Sequence, residues 1–381
     1  MKGSNGHIIG LDVIRFCAAL MVTLFHLTYW SWAPVDSLTK SVAGGMVEFP
    51  SLAKFTWLGW VGVEIFFVIS GFVISYSAAG VNPFVFLRRR IIRLYPSAWI
   101  CATATLVTVL LISRGNADTV SEYLRAMTLW VQGPWIDGVY WTLGIEIIFY
   151  ALIFAMLCLG RFGSIAVALG IMTLASTAFW GTLAIDRIFP GMLHVGFLHN
   201  LLASPASAFL LLRHGCFFAL GGLLWLCHSK GLSSWRAILL GLCLVSGVLE
   251  IFDSARSIVS PIGDSPERRM VACAVWIAAV VCLAAAITYN QRLHKFFGKS
   301  AEVIRFLGLM TYPLYLLHDI IGAAQLNAAS MVGASPLAAL AFAMTIVLAL
   351  SWAVTRFLEP PIQALLRILL SRSRQPVIQT G

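Results

Sequence analysis

Charge is scarce in this chain. Only 11% of its 381 residues are Asp, Glu, Lys or Arg, while 60% are hydrophobic and the mean hydropathy is +0.88. A soluble protein of this length needs far more charge to cover its surface, so the composition excludes the soluble classes and indicates a polytopic membrane protein. The net charge of +10 does not indicate a nucleic-acid partner, because the basic residues fall in short loops between apolar segments.

The sequence also lacks C-x-x-C pairs and histidine-rich runs. Its eight cysteines all fall inside apolar segments, where free cysteine packs as a small hydrophobe, so we expect no disulfide and no metal site. There is no repeat at a fixed period and no low-complexity segment. We expect a single membrane domain over residues 1–381, with the first apolar segment retained as a helix and no soluble domain at either end.

Apolar segments of about 20 residues, the length that crosses a bilayer as a helix, predict an all-α polytopic membrane protein with about ten transmembrane helices. The expected spans are 8–30, 57–77, 94–113, 139–159, 163–184, 203–227, 235–252, 270–289, 306–327 and 336–358. With the N-terminus inside, sixteen Lys and Arg lie on the inner side and nine on the outer side. This bias predicts that both termini are cytoplasmic.

Residues 359–381 are expected to form a cytoplasmic tail. Pro360 and Pro361 should end the last span, because proline cannot continue a helix. The apolar residues that follow, together with Arg367, Arg372 and Arg374, predict a short interfacial helix on anionic lipid.

The first span carries Asp12, Arg15 and His26. At membrane depth an Arg or Asp costs ~2.5–3.5 kcal/mol, so such residues usually face a protein interior or a water-filled cavity. Eleven helical steps from Arg15 to His26 return to within roughly 20° of the same face. The span is therefore predicted to carry a polar track about 16 Å long.

Four further ionisable residues reach similar depths in other spans. Glu64 and Glu146 lie near the outer ends of spans two and four, level with His26, and His318 and Asp319 reach at least the middle of span nine. Charged groups at matched depth are expected to meet. A histidine with a carboxylate can act as a general base or as a proton relay. The residues alone therefore leave two functions open: an enzyme, or a proton-coupled transporter or exporter of a glycan or small molecule.

The segment FLRRRIIRLYP places four arginines at the inner end of span three: Arg88, Arg89, Arg90 and Arg93. Such a run either sets topology or binds phosphate, whose geometry matches the guanidinium fork. The histidines near the outer loop before span six, His194, His199 and His214, could contact a polar acceptor, but histidines in loops are usually solvated, and we expect this here. Ser70 and the glycine beside it are expected to be packing residues.

The motifs LDVIRFCAALMVTLFH, GWVGVEIFFVISGFVIS, FLRRRIIRLYP, YWTLGIEIIFY and TYPLYLLH together resemble acyltransferase family 3. These integral membrane O-acyltransferases modify bacterial surface polysaccharides, lipid-linked glycans and some small molecules. The family's Arg-x10-His spacing runs from Arg15 to His26, and the EPP after the last span resembles its Glu-x-Pro ending. The resemblance covers essentially the whole chain, without the fused extracytoplasmic domain of longer members.

This resemblance implies transfer of an acyl group, most often acetyl, from cytoplasmic acyl-CoA to a hydroxyl of a surface glycan, exopolysaccharide or lipid-linked sugar. It implies the bacterial inner membrane, with the bilayer, acyl-CoA and the acceptor as partners and no metal or nucleic acid. The donor nucleotide would bind the arginine run, His26 would be the base, and Glu146 would orient it. Trp141 or Tyr150 would polarise the oxyanion. The expected catalytic residues are His26, Glu146 and Arg15, the donor-binding residues Arg88, Arg89, Arg90 and Arg93, and the supporting residues Asp12, Glu64, Trp141, Tyr150 and His318.

Overall fold

A computed structural model describes residues 7–34, 37–45, 47–193 and 195–371. Within these residues the chain is helical and has no β-strand, so the predicted all-α class is confirmed. The helices are α1 (Ile9–Phe25), α2 (Leu38–Ala43), α3 (Pro50–Thr56), α4 (Val61–Ala78), α5 (Pro83–Leu111), α6 (Thr119–Thr128), α7 (Trp141–Cys158), α8 (Ile165–Ile188), α9 (Gly196–Ala203), α10 (Ala206–Phe209), α11 (Gly215–Lys230), α12 (Ser234–Val259), α13 (Pro266–Thr288), α14 (Asn290–Phe297), α15 (Ala301–Leu317), α16 (Ile320–Met331), α17 (Pro336–Ala353) and α18 (Glu359–Ser371). Single π-helical turns follow α1 (His26–Trp30) and α17 (Val354–Leu358). Short 3₁₀ turns cover Trp57–Trp60, Gly138–Tyr140, Phe162–Ser164, Ser260–Ile262 and Gly298–Ser300.

Eight helical segments of the described chain are long and apolar enough to cross a membrane, and a bent pair can supply a ninth crossing. The eight are Ile9–Trp30, Pro50–Ala78, Pro83–Leu111, Gly138–Cys158, Phe162–Ile188, Ser234–Ile262, Pro266–Thr288 and Pro336–Ser371. The expected span 203–227 is replaced by α10 and the 16-residue α11. At 1.5 Å per residue α11 is about 24 Å long, shorter than the ~30 Å hydrocarbon core.

The bundle has a buried centre and an apolar outer surface. Most of the Pro50–Ala78 segment is buried, whereas most residues of Phe162–Ile188 and Ser234–Ile262 are only partly buried or exposed. Large apolar side chains such as Val167 and Ile171 on α8 are exposed, as expected of a surface that faces lipid. The eight cysteines are free, and four of them are buried: Cys101, Cys216, Cys243 and Cys273. Because the centre of the bundle is buried, the polar residues that α1 and α4 direct toward it lie inside the protein.

Two predicted helix boundaries were wrong, and both errors involve the arginine-rich end of the bundle. Helix α5 begins at Pro83 and not at residue 94, because the Asn82 side chain accepts a hydrogen bond from the Phe84 amide at 3.0 Å and caps it. At the other boundary, Pro360 and Pro361 do not end the helical path. They fall in the first turn of α18, where proline is tolerated because the amide it lacks would have no helical partner. Arg372 and Arg374 lie outside the described residues.

The expected span 306–327 is broken in the middle. Helix α15 ends at Leu317, α16 begins at Ile320, and the two segments meet at 69°. A break inside a membrane needs its freed backbone groups to be satisfied. The Ile320 amide lies 3.5 Å from Asp137 Oδ2, and Asp319 Oδ1 accepts a hydrogen bond from Thr39 Oγ1 at 2.7 Å. Polar side chains thus stabilise the break. The break places the buried His318 side chain against neighbouring helices.

Helices α4 and α11 pack with their backbones in contact. A Cβ atom added at Gly221 would lie 1.9 Å from Val68 O, and one added at Gly71 would lie 2.1 Å from Phe218 O. Small residues permit this approach between membrane helices. The prediction that the glycine beside Ser70 is a packing residue is therefore confirmed.

Gly221→Ala will destabilise the protein. The added methyl group collides with backbone atoms of α4, which cannot move aside as a side-chain tip can, so the cost will be at least the ~1–3 kcal/mol typical of overpacking. Thermal unfolding in detergent, followed by circular dichroism, measures the loss. Gly241→Ala on α12 is the control, because an added Cβ there meets nothing within 4 Å. Equal unfolding temperatures for the two variants would contradict the close α4–α11 packing.

Candidate active site

A small cavity of about 90 Å³, which we call the arginine cavity, lies between α1, α4, α5, α7 and α15. Its lining includes Arg15, Arg90, Arg93, Glu146 and Tyr150. Three guanidinium groups face one carboxylate, so the cavity carries an excess of positive charge. An anionic ligand would be favoured in it.

The side chain of Glu146 is held within this cavity. Its Oε1 accepts hydrogen bonds from Tyr150 OH at 2.6 Å and from Ser70 Oγ at 3.0 Å. The guanidinium of Arg90 lies over the Tyr150 ring at 5.6 Å and donates to Ser77 Oγ at 2.8 Å. Ser70, expected to be only a packing residue, thus also fixes the carboxylate.

A groove of about 600 Å³, the arginine groove, opens beside this cavity. Its lining from α5 includes Arg88, Arg89 and Arg93, and the wall opposite is the tail helix α18, which contributes Gln363 and Arg367. The tail helix predicted to serve as a lipid anchor therefore also forms part of a basic binding surface. All four predicted donor-binding arginines line either this groove or the arginine cavity.

A third space of about 460 Å³, the histidine cavity, contains His26. Glu64, Trp141 and Asp319 also line it. Glu64 and His26, whose matched depths predict that they meet, therefore line the same cavity. The histidine cavity lies on the far side of Tyr315 from the arginine cavity.

The three spaces form a series that shares residues at each step. Arg93 and Tyr312 line both the groove and the arginine cavity. Val63 and Tyr315 line both the arginine cavity and the histidine cavity. Thr142 Oγ1 donates to Tyr315 OH at 3.1 Å, and Tyr315 OH donates to Val139 O at 3.3 Å. The partition between the two cavities is therefore Val63 and the anchored Tyr315.

His26 and His318 form a hydrogen-bonded pair. His26 is the first residue of the π-helical turn after α1, a feature common at functional sites, and its Nδ1 lies 3.0 Å from Val22 O and 3.0 Å from His318 Nε2. The other ring nitrogen of His318 lies 2.8 Å from Tyr315 O. The break between α15 and α16 places His318 here, fully buried.

These contacts assign the protons on both neutral rings. A carbonyl oxygen only accepts, so His318 Nδ1 carries a proton and donates it to Tyr315 O, which leaves a lone pair on His318 Nε2. Two acceptors, Val22 O and His318 Nε2, then face His26 Nδ1, which must carry its own proton. The lone pair of His26 is therefore on Nε2, and a proton accepted there would be stabilised through Nδ1–H by both acceptors.

Comparison with known protein families identifies the family to which the chain belongs. The model of the acyltransferase domain of acyltransferase family 3 matches residues 8–356. The chain belongs to acyltransferase family 3. Neither curated proteins nor solved structures gave a significant match. The protein is thus a membrane acyltransferase, and the resemblance drawn from its motifs is confirmed.

In this acyltransferase, the hydrogen-bond partners of His26 in the described chain are Val22 and His318, and Glu146 is not among them. Among the described residues, the hydrogen-bond partners of the Glu146 carboxylate are Ser70 and Tyr150, in the arginine cavity. The depth of Glu146 along α7 was predicted, but its direction was not, because depth does not specify which way a side chain points. Tyr150, predicted as an oxyanion donor, is likewise bound to Glu146.

The supporting residues divide between the neighbourhoods of the arginine cavity and the histidine cavity. Asp12 lies 2.6 Å from His7 Nε2 and 3.8 Å from Nη1 of Arg15, which lines the arginine cavity. Trp141 lines the histidine cavity. Tyr315 was not predicted as a site residue, although it lies three positions before His318 within the TYPLYLLH motif. A buried tyrosine in a motif that ends in a site histidine was the available signal.

Proposed function

We propose that this acyltransferase moves an acyl group, in the first instance acetyl, from acyl-CoA to a hydroxyl of a surface glycan, exopolysaccharide or lipid-linked sugar. The observation that supports this is the series from the arginine groove through the arginine cavity to His26. In this proposal residues 1–381 act as one membrane domain in the bacterial inner membrane. Both termini and the groove face the cytoplasm.

The groove and the arginine cavity would bind the charged end of the donor. Arg88, Arg89 and Arg93 of α5, with Arg367 of α18, present guanidinium forks that match phosphate oxygens in pairs. Glu146 would position Tyr150, which stacks on Arg90. Arg15 would extend the positive lining toward the next cavity.

The arm of the donor that carries the thioester is uncharged, and the lining beyond the arginines is apolar. Phe66, Phe67 and Leu143 line the arginine cavity toward the partition. An uncharged chain would be favoured there, because apolar side chains offer a charge no compensation for lost water. The thioester would then reach Tyr315 and Val63, opposite His26.

At the histidine cavity, His26 Nε2 would remove the proton from the acceptor hydroxyl as its oxygen attacks the thioester carbon. The C–S bond then breaks, and the CoA thiolate leaves and takes up the proton that His26 Nε2 removed, which returns His26 to its neutral form. Trp141, which lines this cavity, is the proposed donor to the transient oxyanion, a contribution typically worth about 2.7–4 kcal/mol. His318 would stabilise protonated His26.

The proposal predicts that the purified protein consumes acetyl-CoA in detergent micelles, where no ion gradient exists. Release of free CoA thiol in the presence of a hydroxyl acceptor, read with a thiol reagent, measures it. A chain whose chemistry depended on a proton gradient would release no thiol under these conditions, and that result would contradict the proposal.

Arg93→Gln will weaken donor binding, because Arg93 lines both the groove and the arginine cavity. Loss of one charge-assisted contact, worth roughly 1.5–3 kcal/mol, corresponds to a rise in Kd of about tenfold or more. Binding of acetyl-CoA by calorimetry at low and high salt checks this, and the variant will depend less on salt because it has fewer charges to screen.

Arg161→Gln is the matched control for topology. Arg161 is exposed in the short loop between α7 and α8 and lines none of the three spaces. This variant will bind acetyl-CoA as the wild-type protein does. If Arg93→Gln also leaves Kd unchanged while reducing the amount of protein in the membrane, the arginine run only sets topology.

A further inference from the structure

A second cluster of ionisable side chains lies behind the wall of the histidine cavity. Glu64 on α4, His214 just before α11, and Glu250 on α12 each direct one ligand-type atom to a common point, and these atoms lie within 4.8 Å of one another. His214 Nδ1 is 3.6 Å from Glu64 Oε2. Glu64 and His214 are each 3% exposed and Glu250 is fully buried. The prediction that His214 is solvated was wrong, and His194 lies outside the described residues.

One polar atom of each residue lacks a hydrogen-bond partner. Within the described part of the chain these atoms are Glu64 Oε2, His214 Nδ1 and Glu250 Oε2. The other oxygen of Glu250, Oε1, accepts from Ser254 Oγ at 2.8 Å and from Arg213 Nε at 3.3 Å. The carboxylate of Glu250 is thus held firmly while its second oxygen is left for another ligand. Buried polar atoms without a partner are uncommon, and three at one point indicate an occupant.

The spacing and the charges fit a metal ion better than a direct hydrogen bond. The 3.6 Å between His214 Nδ1 and Glu64 Oε2 is too long for a hydrogen bond. Ligands of a tetrahedral ion bound at ~2.0–2.1 Å lie roughly 3.3 Å apart. The His214–Glu64 pair is close to this spacing, and the remaining pairs, which lie within 4.8 Å, would close further around the ion. Two carboxylates face the single cation of Arg213, which leaves negative charge for a cation to neutralise.

We propose that Glu64, His214 and Glu250 form a binding site for a divalent cation of the zinc class. One nitrogen and two oxygen ligands suit Zn²⁺, whereas Mg²⁺ and Ca²⁺ favour oxygen ligands. Three protein ligands leave a fourth position open. The ion would join α4, α12 and the start of α11 behind the wall that carries Glu64. The proposal is independent of acyl transfer.

The test uses the full-length protein, purified in detergent and treated with EDTA. Co²⁺ serves as a coloured stand-in for Zn²⁺, and its visible absorption is titrated and then displaced with Zn²⁺. We expect one ion per chain by elemental analysis. Because the ion binds only to the folded state, it will also raise the thermal unfolding midpoint. EDTA will remove the ion, and the midpoint will fall again.

Variants locate the ion. Glu250→Gln and Glu64→Gln keep the side-chain shape but remove a charged ligand, so each will weaken Co²⁺ binding by at least about 100-fold, since loss of an outer-shell partner alone costs about 10–100-fold. His199→Ala is the control: it removes an exposed histidine that pairs with Asp186 at 3.2 Å and will bind Co²⁺ normally.

Two results would overturn the proposal. If the EDTA-treated wild-type protein takes up no Co²⁺ or Zn²⁺ and its unfolding midpoint does not change, the cluster holds a proton and no ion. If both glutamine variants bind Co²⁺ as tightly as the wild-type protein, the ion is bound elsewhere. The first of these measurements uses only the wild-type protein. Misfolding of a variant would therefore not leave the proposal untested.

Discussion

His26→Ala will abolish acyl transfer while the protein remains folded in the membrane. The substitution removes the only ring nitrogen that the hydrogen-bond pattern leaves free to accept a proton in the described His26–His318 pair. General-base catalysis contributes about 10²–10⁴-fold to rate, and the loss will be at least of this size. Thiol release from acetyl-CoA in the presence of a hydroxyl acceptor measures the rate.

The matched control is His228→Ala. His228 is exposed in the last turn of α11 and lines none of the three spaces, so this variant will transfer acyl groups at the wild-type rate. Acetyl-CoA binding should be unchanged in both variants, because the arginines are untouched. A folded His26→Ala protein that retains activity would eliminate His26 as the base.

His318→Ala will have the second largest effect. It removes the acceptor that fixes the proton on His26 Nδ1 and that would stabilise the protonated ring, although Val22 O still accepts from Nδ1 at 3.0 Å. We expect a fall in kcat of about 10²-fold, within the range for general-base effects. The KM for acetyl-CoA should stay constant, since His318 lines neither the groove nor the arginine cavity.

A double variant tests whether the two histidines act as a unit. His26→Ala with His318→Ala should be little slower than His26→Ala alone, because the effects of residues that act together are not additive. Glu146→Gln provides the contrast: its carboxylate binds Ser70 and Tyr150, so its main effect will be on KM for the donor. If Glu146→Gln lowers kcat as much as His318→Ala does and leaves KM unchanged, the assignment of His318 is wrong.

The helical period predicts Arg15 and His26 on one face of the first span. The structure places them in neighbouring spaces, Arg15 in the arginine cavity and His26 in the histidine cavity. Matched depth also predicted that Glu64 lies near His26, and both line the histidine cavity. It failed for Glu146, because depth was counted along each helix while the direction of the side chain depends on the packing of α7 against α4.

The histidine pair was harder to predict. The apolar run around His318 gives no sign of a break, so one straight helix was expected, and a straight helix would not carry His318 to the π-helical turn of α1. The break depends on Asp137 and Thr39, which are remote in sequence. Glu250 was overlooked although an acidic residue inside an apolar helix is itself a signal of function.

The arginine run shows a different limit of prediction from the sequence. From the sequence, Arg88 to Arg93 could set topology or bind phosphate, and the same residues suit both roles. The structure adds the opposite wall, because the π-helical turn Val354–Leu358 leads into α18 and brings Arg367 to the groove. A groove shared by residues more than 270 positions apart in the chain is set by the fold and has no local signature.

Val63 and Tyr315 have a consequence for the cell as well as for the reaction. A bilayer stores energy as a voltage, and a continuous wet path through a protein would discharge it, at about 2.3 kcal/mol per elementary charge per 100 mV. Val63 and Tyr315, the latter anchored by Thr142 and Val139, lie between the arginine cavity and the histidine cavity. Under the proposed function, the acyl group would cross only this partition and not the full thickness of the bilayer. The same partition would keep the two cavities from joining into one wet path, so the proposed reaction would not discharge the membrane voltage.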